Sequence, residues 1–274
     1  MSEPWTDLHI PWLKRTGDPV QTSDGKNVEV FEFDHQADEE VLRAWAKHFR
    51  NHYCCDSQIE TLARGTGNSK ADYLKKIKFP DGTVKPGPSI RAGDFAEILA
   101  GDYLEFVLKY WVPRTRYRDK VVRNESTKGA DTIGFLFSRD GHESRSDRLA
   151  MLESKAKFSG TKALPKLQQA VDHSSKDVTR KAESLNAIKQ RLLDSNDLDG
   201  VGKVERFQDE VARPYTQVFG AVAHLDSNVF DIDSIEETDC TSHDYPDDLV
   251  LIVIKGDSMM KLVHNLYRRA ANEA

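Results

Sequence analysis

The stretch LAMLESKAKF, residues 149–158, is an apolar run that carries a row of charged side chains. Its first four residues are typical of a buried β-strand, in which successive side chains point to opposite faces. Glu153, Lys155 and Lys157 are therefore predicted to share one face. Burying charge is costly unless the charge is paired, bound to a metal or kept near water. The row therefore points to a functional site.

A second apolar run, DTIGFLFS at 131–138, precedes this strand and is predicted to pair with it as an antiparallel hairpin. The segment between them, SRDGHESRSDR at 138–148, contains an Asp-Gly turn signal near residue 142. With the turn there, Asp131 lies opposite residues 153–155. The sequence therefore predicts that two carboxylates and an ammonium meet at one end of a hairpin.

The carboxylates of Asp131 and Glu153, with waters and a backbone carbonyl, suit a hard divalent cation such as Mg²⁺. Such a cation stabilises charge on a phosphodiester and lowers the pKa of a bound water. Lys155, one pleat from Glu153, is predicted to hold that water or help deprotonate it. The acid-x-Lys triplet alone is weak, because a chain with 45 acidic residues contains roughly three by chance.

A predicted helix before the hairpin offers a further acid. The segment SIRAGDFAEILAGDYLEFVLKYW has helical spacing of its apolar residues from Ser89 onward, and Ser89 is a candidate N-cap. Glu97 on this helix is predicted to bind the metal or orient a water. The alternative is that Glu97, with Glu105, marks a solvated face.

The stretch PDGTVKPGPS, residues 80–89, is rich in proline and glycine and is the strongest boundary signal in the chain. Residues 1–88 are predicted to form a mainly helical N-terminal extension, with one short strand at NVEVFEF, 27–33. Residues 89–274 are predicted to form the core.

The core is predicted to be α/β, with a mixed central sheet flanked by helices. LVLIVIKG is apolar and β-branched, which is typical of a central strand covered on both faces. In order, the predicted elements after the first helix are strands at 110–122, 131–138 and 149–158, helices at 162–195 and 204–215, strands at 217–225 and 249–256, and a helix at 257–272.

Basic residues near the hairpin are candidates for DNA contacts. Arg114, Arg116 and Arg118 alternate along the predicted strand 110–122 and could follow a phosphate backbone, although a charged edge strand is an equal alternative. Lys157 is a further candidate, because it shares the face of Lys155. The basic residues between 162 and 191 are more typical of a solvated helix face.

The three cysteines are poor material for a disulfide framework, which fits a reducing compartment. His48 and His52 are four residues apart and lie just before Cys54 and Cys55. A zinc site can be imagined there, but the spacing matches no familiar finger. The sequence instead favours buried thiols beside ordinary surface histidines.

The composition limits the classes of function. The formal net charge of −6 argues against a protein that coats nucleic acid through its overall field, so action on DNA needs a local basic patch, a metal or a partner. No apolar stretch approaches the length of a membrane span. The N-terminus also lacks the basic and apolar regions of a signal peptide. These features predict a cytoplasmic protein without a membrane partner.

Three motifs carry a family resemblance: AGDFAE around Glu97, KGADTIGF around Asp131 and LESKAKF around Glu153. They resemble the PD-(D/E)XK nuclease superfamily and, within it, the nuclease-subunit family of the Hachiman anti-phage defence system, over about residues 89–160. The resemblance implies that Asp131 and Glu153 are metal ligands, Lys155 the catalytic lysine and Glu97 the helix acid. The leading Pro-Asp of the superfamily is absent, since Asp131 follows Gly129-Ala130.

The resemblance also implies a function. It predicts a Mg²⁺-dependent DNA endonuclease, with Mn²⁺ as a possible substitute, that acts with a large HamB-like helicase subunit. The nuclease is expected to stay inactive until invading or aberrant DNA is sensed. The alternatives are a non-catalytic adaptor or regulator of a helicase, and a restriction or repair nuclease that acts alone.

Overall fold

The computed structural model describes residues 5–17, 20–138 and 143–274. The described strands form one seven-stranded sheet. They are β1 Leu13–Arg15, β2 Val20–Gln21, β3 Asn27–Phe33, β4 Thr132–Leu136, β5 Arg148–Lys157, β6 Thr216–Asp226 and β7 Leu249–Gly256.

The sheet has the order β1-β3-β7-β6-β5-β4, with β2 beside β3. The four inner strands β3, β7, β6 and β5 are parallel, whereas β4 and β1 are antiparallel to their neighbours. The predicted mixed sheet is confirmed, and so is the central position of LVLIVIKG, since β7 pairs on both sides. Ile252 and Ile254 are buried on one face and Val253 on the other, because both faces are covered by other elements.

Helices cover both faces of the sheet. They are α1 Glu39–Tyr53, α2 Asp56–Ala63, α3 Lys70–Tyr73, α4 Gly87–Asp102, α5 Lys166–Asp194, α6 Leu198–Glu205, α7 Ile232–Glu236 and α8 Met259–Asn272. π-Helical turns at 74–78 and 103–107 prolong α3 and α4. None of the described helices is both apolar and long enough to cross a membrane.

The alternation of β5 assigns its side chains to two layers. Ala150 and Leu152 belong to the core formed with α1, α4 and α8, whereas Leu149 and Met151 belong to the core formed with α5. Glu153 is two residues after Met151, so its side chain points to the same face and lies on the α5 side of the sheet. The charged row of the sequence therefore enters the layer between β5 and α5.

The prediction of a mainly helical N-terminal extension is not confirmed. Strand β3 pairs in parallel with β7, with Val28 opposite Leu251, so the N-terminal segment supplies one edge of the central sheet. Trp45 of α1 is fully buried in the same core cluster as Phe95 of α4 and Leu152 of β5. Residues before and after the proline-rich connection at 80–89 therefore share one core.

Three other local predictions are wrong. The segment 110–122 is not a strand: only Trp111 forms a bridge, with Phe135, before Pro113 removes a donor and the chain turns at 116–119. The helix predicted at 204–215 is replaced by α6, which ends at Glu205. Ser89 does not cap α4, because the helix starts at Gly87 and the Ser89 hydroxyl donates to the carbonyl of Pro86. The Asp-Gly turn predicted near residue 142 lies outside the described residues.

Candidate functional site

The hairpin of β4 and β5 brings Asp131 to Glu153. Thr132 pairs with Leu152, so the next pair along the antiparallel ladder is Asp131 and Glu153. The amide of Ser154 donates a hydrogen bond of 3.1 Å to Asp131 Oδ2, which fixes this carboxylate at the start of β4. The predicted register is confirmed, and the metal-binding roles of the two acids remain predictions.

Glu153 is a buried acid held by cationic and aromatic neighbours. Its side chain is 8% exposed, and the Lys155 ammonium donates to its Oε1. His173 of α5 lies with Nδ1 3.4 Å from the same oxygen. Burial, reinforced by the nearby charge of Asp131 and only partly offset by Lys155, raises the pKa of Glu153 to about 8. Glu153 is therefore poorly stabilised as a carboxylate in the absence of a stronger cation.

Asp177, one helical turn beyond His173 on α5, is a second buried acid beside the hairpin. The residue is 2% exposed, and its Oδ2 has no hydrogen-bond partner. Burial and the charge of Asp131 raise the pKa of Asp177 to about 7. The sequence did not predict Asp177 as a site residue, because α5 has the composition of a solvated helix. The available signal was its i, i+3 spacing from Ser174, which is also buried.

Arg116 joins two of the predicted site acids. Its Nε donates to Glu97 Oε2 at 2.7 Å and its Nη2 donates to Asp131 Oδ1 at 2.8 Å. The Tyr117 hydroxyl also donates to Glu97 Oε2. Burial raises the pKa of Glu97 to about 8, and the charge of Arg116 opposes this rise. The Arg116 guanidinium therefore bridges the carboxylates of Glu97 and Asp131, on the α4 side of the hairpin.

The remaining predicted DNA contacts have different surroundings. Arg114 is 3% exposed and its Nη1 lies 2.7 Å from Asp102 Oδ1, so it is an internal cation. Nε of Arg118 is buried without a hydrogen-bond partner. Lys157 is half-buried at the end of β5. Burial, followed by the charges of Lys155 and Lys157, lowers the pKa of Lys166 at the start of α5.

His48 and His52 belong to a different cluster. Together with Asp102 they form the one group of three potential metal ligands within 4.8 Å among the described residues, and all three are buried. The prediction of surface histidines is therefore wrong, while that of a buried thiol holds for Cys54. Arg114 Nη1 lies 2.8 Å from His52 Nε2 as well as close to Asp102, so a guanidinium occupies the centre of the group. Burial lowers the pKa of His48 to about 4, which favours neutral imidazole.

A cleft of about 330 Å³ adjoins the acid site. It lies between α4, the segment 112–117, the loop 128–133 and α5, and both Glu97 and Asp131 line it. Lys128, Glu183 and Arg191 supply charged side chains to its wall. The cleft therefore reaches the hairpin at Asp131, whereas Glu153 and Lys155 do not line it.

The donor set suits a hard divalent cation. Asp131, Glu153 and Asp177 offer carboxylate oxygens, and one of these oxygens is buried without a partner. In the part of the chain that the structure describes, three oxygens of this site do not converge within 4.8 Å. Lys155 and Arg116 are instead hydrogen-bonded to two of the acids. A cation held by these acids would therefore require their side chains, and those of Lys155 and Arg116, to rotate.

Comparison with known proteins adds one match. A family model described as HamA matches residues 7–270, which is nearly the whole chain. The matched region contains every strand of the described sheet and the complete acid site. Among curated proteins, none matches the chain.

Proposed function

The chain belongs to the HamA family of Hachiman defence proteins, and from this premise we propose that it is a divalent-cation-dependent deoxyribonuclease of anti-phage defence. The observation that carries the proposal is the β4–β5 register, in which Asp131 lies opposite Glu153 and Lys155 contacts Glu153. Two acids and an amine at one end of a buried hairpin suit hydrolysis of a phosphodiester.

Each residue then has a role. Asp131 and Glu153 would hold Mg²⁺, for which Mn²⁺ is a chemical substitute, and Glu97 supports Asp131 through Arg116. When bound, the cation supplies charge stabilisation for the phosphate and a lower pKa for a bound water. Lys155 orients the attacking water. Hydrolysis joins the water oxygen to phosphorus as one P–O ester bond breaks, and the leaving oxygen takes up a proton.

Local charge supports DNA as the substrate. The chain is acidic overall, with a formal net charge of −6. Lys155, which contacts Glu153, nevertheless shares the end of β5 with Lys157, and Lys166 is the first residue of α5. Phosphates on either side of the cleaved bond need such a local basic patch, because phosphate contacts provide most of the non-specific affinity for DNA.

We also propose that the nuclease site is inactive at rest and that a partner helicase activates it. In the described conformation, Lys155 is hydrogen-bonded to Glu153 and Arg116 to Asp131. Both metal ligands are therefore partly neutralised by side chains of the same protein. A metal ion could bind only after the Lys155 and Arg116 side chains move away from the two acids. Our proposed trigger for this movement is the sensing of DNA by a partner helicase.

Cleavage of supercoiled plasmid in Mg²⁺ tests the proposal. The chain is assayed alone and with the helicase of its defence system. We expect that Asp131→Asn and Glu153→Gln each abolish cutting, whereas Asp172→Asn, which changes an exposed acid on α5, cuts like the parent. Equal cutting by all variants would show that this is not the catalytic site.

A cell-based assay separates the enzyme from a non-catalytic adaptor. Cells that carry the complete defence system are challenged with phage, with the parent chain or Asp131→Asn in place. A nuclease loses protection with this substitution, because the chemistry is lost while the fold remains. Full protection by Asp131→Asn would instead identify a regulator of the helicase.

A further inference from the structure

Helix α5 carries an acid into the layer where it packs on the sheet. Its buried positions include Leu167, Ala170, Val171 and Ser174, and the next is Asp177. A carboxylate in such a stripe costs free energy unless a cation or hydrogen-bond donors compensate it. The Oδ2 atom of Asp177 is buried and has no hydrogen-bond partner. Packing alone therefore gives no reason for an acid at this position.

The pKa of Asp177 responds to the charges of the candidate active site. Burial raises this pKa most, the carboxylate of Asp131 raises it further, and Arg116, Arg180 and Lys155 lower it. Glu153 feels the charge of Asp177 in turn. One turn earlier on the same helix, His173 Nδ1 lies 3.4 Å from Glu153 Oε1. This section of α5 therefore lies over the hairpin acids.

The cations at the site are already engaged with other acids. Arg116 donates to Glu97, to Asp131 and to backbone carbonyls of the loop 127–130. Lys155 donates to Glu153. Within the described ranges, neither Asp177 oxygen forms an ion pair or hydrogen bond with a lysine or arginine. Among the described residues, the site therefore contains a buried carboxylate oxygen that forms no direct pair with its cations.

We propose that Asp177 is the third carboxylate of the cation site, alongside Asp131 and Glu153. This inference rests on the proposed function and adds a ligand from a different layer of the fold. A divalent cation bound by all three would join α5 to the β4–β5 hairpin.

Calorimetric titration of the full chain with Mn²⁺ tests this role without relying on cleavage. Asp177→Asn keeps the shape of the side chain and is expected to weaken Mn²⁺ affinity by about tenfold or more. Asp172→Asn, on the exposed side of the same helix, is the matched control and is expected to bind Mn²⁺ like the parent. Asp131→Asn is expected to weaken binding at least as much as Asp177→Asn.

Thermal unfolding in chelator separates ligand loss from misfolding. Asp177→Asn is expected to unfold at or above the parent temperature without metal, because it removes an uncompensated buried acid. Asp177→Ser provides a second variant that removes the carboxylate with a smaller side chain. A metal-free melting temperature that stays high while Mn²⁺ affinity falls supports the inference.

The possible failures are distinguishable. Parent-like Mn²⁺ affinity in folded Asp177→Asn, with binding lost in Asp131→Asn, would overturn the role of Asp177 and leave the proposed nuclease site intact. Absence of Mn²⁺ binding by the parent would overturn both proposals. Equal loss of affinity in Asp172→Asn would also overturn the inference, because the effect would then arise from net charge.

Discussion

Replacing Glu153 by glutamine is expected to stabilise the metal-free protein at alkaline pH. Burial and Asp131 raise the pKa of this carboxyl from 4.5 to about 8 in the folded chain. The folded state therefore binds a proton more tightly than the unfolded state. The resulting stability is fully present below pH 4.5 and is lost as the pH rises through about 8. Glutamine carries no charge, so the Glu153→Gln variant does not lose this stability as the pH rises.

The structure sets the size of the effect. The difference between 4.5 and about 8, at about 1.4 kcal/mol for each pH unit, gives an upper limit of about 5 kcal/mol. This limit already includes the charge and the hydrogen bond of Lys155, both of which oppose the rise in the pKa. At pH 8, where the carboxyl is about half ionised, we therefore expect a gain of up to about 4 kcal/mol in the free energy of unfolding. At pH 5, where Glu153 in the parent is protonated, the gain should vanish.

Urea unfolding at pH 5 and pH 8 in the presence of a chelator measures this difference. Glu183→Gln, which changes an exposed acid of α5, is the control and should show no such pH-dependent gain. With saturating Mg²⁺ the order should reverse at pH 8, because a ligand that binds only the folded parent stabilises it by mass action. A variant that is destabilised equally at both pH values would refute the reasoning.

Three further predictions concern other side chains. Lys155→Met is expected to reduce DNA cleavage by about a hundredfold while Mn²⁺ affinity, measured by calorimetry, is retained. Arg206→Met should lower the free energy of unfolding in urea by about 3–5 kcal/mol, because the fully buried Asp147 then loses the guanidinium 2.9 Å away. Combined replacement of Lys157 and Lys166 by alanine should weaken DNA binding in a filter assay. The slope of log affinity against log salt concentration should fall by the equivalent of about two phosphate contacts. A parent-like salt dependence of the double variant would exclude these lysines from the DNA path.

Local pattern predicted the hairpin and the central strand because their signals are short-range. In β5 the two-residue period and the charged row assign faces directly, and the neighbouring run fixes the register with Asp131. The continuous apolar stretch of β7 likewise reflects cover on both faces. At these positions the sequence of one segment contains most of the information that its structure needs.

The missed features depend on contacts between distant segments. The segment 110–122 has strand-like composition, but Arg114 and Arg116 are held inward by Asp102 and Glu97 of α4. Strand β3 was identified, but its parallel partner β7 lies near the opposite end of the chain. Asp177 was hidden because a single buried acid within a polar helix resembles its solvated neighbours. Only tertiary packing reveals which of these acids faces the sheet.

The position of β7 between β3 and β6 has a consequence for synthesis on the ribosome. The N-terminal strand can join the sheet only after residues 249–256 have left the exit tunnel, because β7 is its neighbour on the inner side. A translation product that stops short of this strand leaves the N-terminal edge and the β5–β6 unit unconnected. Completion of the fold is thereby tied to completion of the chain, so an aborted polypeptide lacks the joined sheet.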